Sequence, residues 1–149
     1  EYYRLAEYFS LYTSKKIRLT MGVTNLIEIF NEKYYKDLSG GILEAFGKLF
    51  FKNLKIYLYP KIDLDSGNVI DSNNLNVQPR MKELYKFFKY NFKILDILDY
   101  DKKGLEVYSE DVLEKIKFKQ SGWETMLPDV VSKLVKSKNL FGFKSSNWK

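Results

Sequence analysis

The apolar and polar positions between Ser39 and Pro60 give the clearest structural signal in the chain. Apolar side chains recur there at intervals of three and four residues, which places them on one face of a helix. They are Ile42, Ala45, Phe46, Leu49 and Phe50. The Ser39 hydroxyl is the predicted N-cap of this helix. After Asn53, the β-branched and aromatic residues of Leu54–Tyr59 predict a strand that ends at Pro60.

Similar patterns predict helices and strands on either side of this stretch. Glu1–Tyr12 carries Leu5, Tyr8, Phe9 and Tyr12 at helical spacing and is predicted to form an amphipathic helix. Further helices are predicted from Thr24 or Asn25 to about Tyr35, over Arg80–Tyr90, from Ser109 onward, and from Pro128 to a C-cap at Gly142. Further strands are predicted at Ile17–Met21, at Ile94–Leu98 and, as a short extended piece, at Leu105–Tyr108.

The segments between these elements carry turn and capping signals. Lys61–Pro79 is predicted to be irregular, with a turn at Asp65–Asn68 between short extended pieces. Ser121–Glu124 matches a capping box. Strands that alternate with helices favour an α/β fold, with a small parallel or mixed sheet of about three or four strands covered by helices and a helical C-terminal segment.

The amino-acid composition excludes more classes of function than the predicted helices and strands do. The chain has no cysteine and no histidine, which excludes disulfides, zinc ligation by thiolate or imidazole, and Ser-His-Asp or Cys-His nucleophile systems. A general base would have to be Asp, Glu, Lys or Tyr. We therefore expect no catalytic residue, no metal and no cofactor. The lack of cysteine fits an intracellular, reducing compartment, either the cytoplasm or an organelle matrix.

Length and charge suggest a module that contacts other molecules. With 149 residues, 45% of them hydrophobic, we expect one α/β domain over residues 1–149. The chain opens without an initiator Met, so we expect it to be a piece of a longer protein or a processed product. No apolar run reaches membrane-spanning length. The 12 tyrosines and 11 phenylalanines are typical of interfaces, although an AT-rich genome favours the same residues.

The basic C-terminal end is the predicted partner-binding region. From Ser132 onward the chain has five lysines and no acidic residue. Such an end suits phosphate, an acidic partner or an anionic lipid surface, with a solvated terminal helix and tail as the alternative. The aromatic residues interleaved with its lysines could also stack nucleic-acid bases. A tail docked on its own domain is an alternative to nucleic acid. The predicted partner-binding residues are Lys133, Lys136, Lys138, Phe141, Phe143, Lys144 and Trp148.

A weaker candidate for a phosphate site lies at Ser39, Gly40 and Gly41. Backbone N–H groups at the start of a helix can bind a phosphate. The spacing to Gly47 and Lys48 does not match the Gly-x4-Gly-Lys-Ser/Thr motif, so a plain turn is favoured.

Two groups of acidic residues are candidate metal or catalytic sites. Asp63, Asp65, Asn68 and Asp71 lack the glycine and glutamate positions of an EF-hand loop and are predicted to form a structural turn. Glu28, Glu32, Asp37 and Glu44 could bind magnesium or act as bases. Exposed acids are common on amphipathic helices, however, and solvated side chains are the favoured interpretation.

Three sequence blocks resemble a known family. The blocks are MGVTNLIEIFNEKYYKDLSGGILEAFGKLFFKNLKIYLYP, LNVQPRMKELYKF and GWETMLPDVVSKLVKSKNLFG, within Ile17–Gly142. Together they resemble the C-terminal part of a family of uncharacterised proteins, mostly from the Bacteroidetes, that often carry automatic labels such as nicotinate- or nicotinamide-nucleotide adenylyltransferase. Such enzymes use a His-x-Gly-His type motif, and this chain has no histidine. No catalytic residue is therefore carried over, and any such chemistry would lie upstream.

These observations favour a non-catalytic interaction or accessory module with a protein partner in a larger assembly. A nucleotide-binding, adenylyltransferase-like enzyme fragment is the alternative. A basic module that binds nucleic acid is the third interpretation.

Overall fold

The computed structural model describes residues 1–51 and 53–144, except for the side chain of Lys103. The chain divides into two compact units, Glu1–Tyr100 and Asp101–Lys149. Helices and a parallel sheet confirm the predicted α/β fold. A single domain over the whole chain stays a prediction.

The first unit contains four α-helices and five strands. The helices are α1 (Tyr2–Tyr12), α2 (Val23–Ile29), α3 (Gly41–Leu49) and α4 (Lys82–Tyr90), with short 3₁₀ helices at Glu32–Tyr35 and Pro79–Met81. The strands are β1 (Arg18–Gly22), β2 (Lys55–Tyr59), β3 (Lys61–Ile62), β4 (Val69–Ile70) and β5 (Ile94–Asp96).

Three of the strands form a parallel sheet in the order β1–β2–β5. Arg18 lies beside Lys55 in the β1–β2 pair, and Ile56 lies beside Ile94 in the β2–β5 pair. Strands β3 and β4 form an antiparallel pair around the predicted turn at Asp65–Asn68, which confirms that turn between extended pieces.

Alternation along the strands separates two faces of the sheet. Residues paired in a parallel ladder point to the same side, and successive residues point to opposite sides. One face carries Met21, Ile56, Leu58 and Ile94, all of which belong to the core formed with the helices. The other face carries Arg18, Thr20, Lys55, Tyr57, Tyr59 and Leu95, which belong to neither hydrophobic core.

An aromatic cluster fills the core between the helices and the sheet. Phe46 on α3 meets Phe30 edge-on, with ring centroids 4.8 Å apart, and Phe50 stacks on Phe88 at 4.4 Å. Burying one such side chain contributes about 1.5–3 kcal/mol. The five apolar residues predicted to share one face of this helix are all buried, as the spacing predicted.

The second unit has a smaller core of its own. Helices α5 (Ser109–Lys117) and α6 (Asp129–Lys138) are joined by a segment with a 3₁₀ helix at Glu124–Met126. Further 3₁₀ helices lie at Lys102–Glu106 and Leu140–Gly142. Trp123 is fully buried and meets Phe143 with ring centroids 5.7 Å apart. Val112, Ile116 and Val135 complete this core.

Several local predictions are wrong. The C-cap of α6 is Asn139, in the left-handed region, rather than Gly142, which ends the next 3₁₀ helix. The N-cap of α3 is Gly40 rather than Ser39, because the chain turns one residue later and the Glu44 carboxylate accepts the Gly40 N–H at 3.0 Å. Ser121–Glu124 forms no capping box, since the short 3₁₀ helix there has Trp123 as N-cap and no side-chain cap. Leu105, predicted to be extended, lies in a 3₁₀ helix and is buried.

Candidate interaction surface

The outward face of α1 carries apolar side chains that the spacing would normally place in a core. An amphipathic helix ordinarily turns its apolar face inward. Here Leu5 is 43% exposed, Tyr8 54%, Phe9 43% and Tyr12 73%. We call these four residues the α1 stripe. The rings of Tyr8 and Tyr12 lie 5.0 Å apart on the surface.

The residues that α1 buries lie on the side of the helix opposite the α1 stripe, and they explain its orientation. The helix packs on α3, and its buried residues are Tyr3 and Ala6. The Tyr3 ring meets the Tyr35 ring at 6.1 Å. At 3.6 residues per turn, the centre of the α1 stripe lies roughly 140° around the helix axis from the midpoint of Tyr3 and Ala6. The stripe therefore cannot reach the core of this unit.

A groove of about 660 Å³ runs beside the α1 stripe, between α1 and the end of α3. Tyr8 and Leu11 line it from α1, and Phe51 lines it from the residues after α3. Leu11 is 79% exposed and Phe51 61%. The stripe and the groove thus form one continuous apolar surface that shares Tyr8.

Charged groups border this groove. Lys48 lies 3.0 Å from Glu44 and 3.7 Å from Glu7, so one cation joins the carboxylates of two helices. The Gly40 N–H and Lys48 hold the pKa of Glu44 below its usual value. The hydrogen bond that Lys48 donates to the Glu44 carboxylate raises the pKa of Lys48. The lining of the groove thus carries two carboxylates, Glu7 and Glu44, and two lysines, Lys15 and Lys48.

The predicted phosphate turn does not present a bare helix N-terminus. Ser39 and Gly40 are exposed, and Gly41 has a φ of +55° in the left-handed region. The Gly40 N–H already donates to the Glu44 carboxylate. A negative charge at that position opposes the binding of a phosphate.

The predicted partner-binding residues of the C-terminal end fall into three groups. Phe143 is 5% exposed and belongs to the core of the second unit, so it is unavailable to a partner at the surface. Lys136 pairs with Glu124 at 2.9 Å and lies over the Trp123 ring. Phe141 is 61% exposed, and Lys133, Lys138 and Lys144 are exposed as well. Trp148 lies outside the described residues.

The carboxylates of the candidate catalytic or magnesium site have separate partners. Glu28 accepts from the Tyr34 hydroxyl at 2.7 Å, which together with Lys33 lowers the pKa of Glu28. Glu32 pairs with Arg80. Within residues 1–51 and 53–144, no three acidic side chains come close enough to hold a metal ion. Asp63 instead accepts the Asp65 N–H at 3.0 Å, as expected for a structural turn.

One polar network lies at the carboxyl end of the sheet, where α/β folds often bind ligands. Asp96 at the end of β5 accepts from the Ser72 N–H and hydroxyl, at 2.9 and 2.5 Å. Tyr85 and Lys89 of α4 donate to the Ser72 carbonyl at 2.6 and 2.8 Å. Burial raises the pKa of Tyr85, so its hydroxyl remains a donor at neutral pH. These groups satisfy one another and fix the loop after β4 to the sheet.

Comparison of the chain with protein-family models, curated proteins and solved structures gives no match. Among the described residues, no helix combines the length and apolar character needed to cross a membrane.

Sequence reasoning predicted the spacing of the α1 stripe but not its exposure. It also missed Leu11 and Phe51 as surface residues. The sequence does contain a signal for exposed apolar residues on α1. Leu11 is apolar but lies off the face that the α1 stripe occupies, so the helix has more apolar residues than one buried face can accommodate.

Proposed function

We propose that this chain is a non-catalytic interaction module that binds a protein partner within a larger assembly. The observation that carries the proposal is the outward orientation of the α1 stripe. Large exposed apolar patches on protein surfaces are typical of protein interaction sites.

The residue types of the α1 stripe support a protein partner. Tyrosine and phenylalanine anchors contribute much of the binding energy at interfaces, because they bury a large area at a small cost in side-chain entropy. Residues at spacings of three and four along a helix are also the usual anchors in helix recognition. The acidic and basic side chains that line the adjacent groove place charges of both signs at the border of the apolar surface.

In the same proposal, the exposed basic residues of the second unit form a second contact with a partner. Phe141 and the exposed lysines Lys133, Lys138 and Lys144 keep the pattern of an aromatic anchor with cations around it. Lys136 and Phe143 serve the unit's own structure instead.

The test compares two surface variants of the tagged chain in its native host. Tyr8→Lys combined with Tyr12→Lys places two charges in the α1 stripe. Leu43→Lys is the matched control, because Leu43 is 66% exposed on α3 and lies outside the stripe. We expect quantitative mass spectrometry to show proteins that co-purify with the wild type and the control but at least tenfold less with the stripe variant. Equal recovery with both variants would overturn the proposal.

A further inference from the structure

We propose that a pocket beside α4 binds a small anion that carries a di- or triphosphate group. The pocket has a volume of about 410 Å³ and lies between α4 and the loop that follows β4. Small-molecule sites usually have volumes of about 300–1,000 Å³. No residue of the α1 stripe lines this pocket, so the inference goes beyond the proposed function and does not depend on it.

Positive charge converges on this pocket from one helix. Lys82, Lys86 and Lys89 of α4 all line it. At 3.6 residues per turn and 1.5 Å per residue, their positions lie within about 60° of one another around the helix and span about 10 Å along its axis. Among the described residues that line the pocket, none is acidic. Three ammonium groups without a carboxylate in the lining suit an occupant with several negative charges.

Repulsion between these lysines is only partly relieved within the chain. Lys82 and Lys86 are four residues apart on α4, a spacing at which like charges destabilise a helix. Lys82 has no ion pair among the described residues. Lys86 pairs with Glu83 at 2.6 Å, but the two side chains are 52% and 83% exposed, so the pair is weak. An anion in the pocket offsets the repulsion and competes with Glu83 for Lys86.

Lys89 is held in position by the protein itself. Its ammonium donates to the Ser72 carbonyl at 2.8 Å and to the Asn73 side-chain oxygen at 2.7 Å. A lysine ammonium has three donor hydrogens, so one remains for a ligand. The Tyr85 hydroxyl donates to the same Ser72 carbonyl at 2.6 Å, and the Ser72 N–H donates to Asp96 at 2.9 Å. A cation fixed in this way lowers the side-chain ordering that binding would otherwise cost.

The donors in the pocket favour phosphate over carboxylate. Planar, bidentate recognition of a carboxylate uses arginine, whereas lysine binds phosphate as a point charge. Among the described residues of the lining there is no arginine. Asn76 lines the pocket from the loop and carries an amide that can donate to a phosphate oxygen. Tyr90 also lines it and is 75% exposed, which offers a ring on which a nucleotide base can stack. The phosphate group therefore has two possible sources, a nucleotide and a free polyphosphate.

The first measurement is calorimetric titration of the chain with sodium pyrophosphate at about 0.15 M salt, where surface charges are largely screened. We expect one saturable site with a dissociation constant below about 1 mM, and roughly tenfold weaker binding to Lys82→Ala/Lys86→Ala. Lys16→Ala/Lys36→Ala is the matched control, because it removes two exposed lysines of the same unit that lie outside the pocket. The control should bind like the wild type. Equal weakening in both variants would indicate attraction by net charge alone and overturn the site.

Glu83 allows a test in the opposite direction. Glu83→Gln frees Lys86 from its ion pair and should tighten pyrophosphate binding roughly two- to fivefold, the equivalent of an exposed ion pair. Glu114→Gln on α5 is the matched control, since it also removes one exposed carboxylate. Both glutamates are exposed, so circular dichroism should show an unchanged fold. If Glu83→Gln binds no more tightly than the control, the α4 lysines are not the ligands and the proposal fails.

Further probes locate the site and identify the source of the phosphate. Amide chemical shifts that change with pyrophosphate should lie in residues 72–77 and α4, and changes centred on residues 39–41 would overturn this location. Tighter binding of ATP than of pyrophosphate assigns a nucleotide, and Tyr90→Ala should then remove the gain. Equal or weaker binding of ATP assigns a free polyphosphate. Citrate that binds as tightly as pyrophosphate overturns the assignment to phosphate, and no saturation by pyrophosphate or ATP up to about 10 mM overturns the pocket as a site.

Discussion

Left-handed backbone at residues with bulky side chains is the most unusual feature at the scale of single residues. Among the described residues, Phe92, Lys119, Asn139 and Phe141 have φ values between 51° and 57°. Asparagine tolerates this region, but a phenylalanine there costs roughly 1–2 kcal/mol. At Phe92 the cost is offset by two backbone bonds that close α4, from Phe92 N–H to Lys89 and from Lys93 N–H to Phe88, at 3.0 and 2.9 Å.

We expect Phe92→Gly to raise the free energy of unfolding by about 0.5–1 kcal/mol, since glycine adopts the left-handed region without a steric penalty. The Phe92 side chain is 65% exposed, so little packing is lost. Phe92→Ala is the matched control, because alanine loses the ring but keeps the strained Cβ. Denaturant unfolding measures the free energy of unfolding of both variants. The interpretation fails if the glycine variant is no more stable than the alanine variant.

At the scale of elements, the sequence predicted α3 well and α1 only in part. The predicted face of α3 is buried because its five apolar residues meet a sheet on one side and helices on others. The same periodicity on α1 identified a helix but could not show what covers its apolar face, and no described element does. The buried side of α1 rests on Tyr3 and Ala6, two positions that periodicity does not single out. Spacing thus predicts the element, whereas tertiary contacts decide its orientation.

Element ends depended on contacts that sequence patterns do not specify. Ser39 and Ser121 both match capping preferences, yet neither caps a helix. In α3 the role passes to Glu44, one turn into the helix, whose carboxylate reaches back to the Gly40 N–H. The weak phosphate assignment at Ser39–Gly41 depended on that N–H group. Only the position of the Glu44 side chain, one turn away, shows that this N–H group already donates a hydrogen bond.

Acid should weaken the start of α3 through Glu44. The pKa of Glu44 is lower in the folded chain than its ordinary value, because the Gly40 N–H and Lys48 favour the charged form. Its contribution to stability is therefore present above the unfolded pKa, about 4.3, and is lost as pH falls through the folded pKa. We expect Glu44→Gln to unfold at a lower urea concentration than the wild type at pH 7. At pH 3 the gap between the two urea midpoints should be smaller. A gap that stays constant between these pH values would contradict this role.

At the scale of the whole molecule, the two hydrophobic cores share no residue. The composition gives a convenient probe, because the chain has two tryptophans: Trp123, which is buried in the core of the second unit, and Trp148, which follows it in the sequence. Tryptophan fluorescence therefore reports on unfolding of that unit, while amide hydrogen exchange in β2 reports on the first.

We expect Phe143→Ala to lower the stability of the second unit by about 3 kcal/mol, the usual cost of removing a buried aromatic ring. The fluorescence transition should move to lower denaturant, with amide protection in β2 retained. Phe46→Ala in the first core is the matched control and should give the reverse pattern. If each variant shifts both readouts equally, the chain unfolds as the single domain that its length suggests.

The central position of β2 in a parallel sheet has a consequence for biosynthesis. Arg18 pairs with Lys55, 37 residues later in the chain, and Ile56 pairs with Ile94, 38 residues later. Such distant pairing is slow compared with local contacts. A nascent chain that has just exposed the apolar Leu54–Tyr59 segment must therefore wait for about forty more residues before both ladders can close. Until then the segment stays unpaired, and aggregation through it competes with folding during translation.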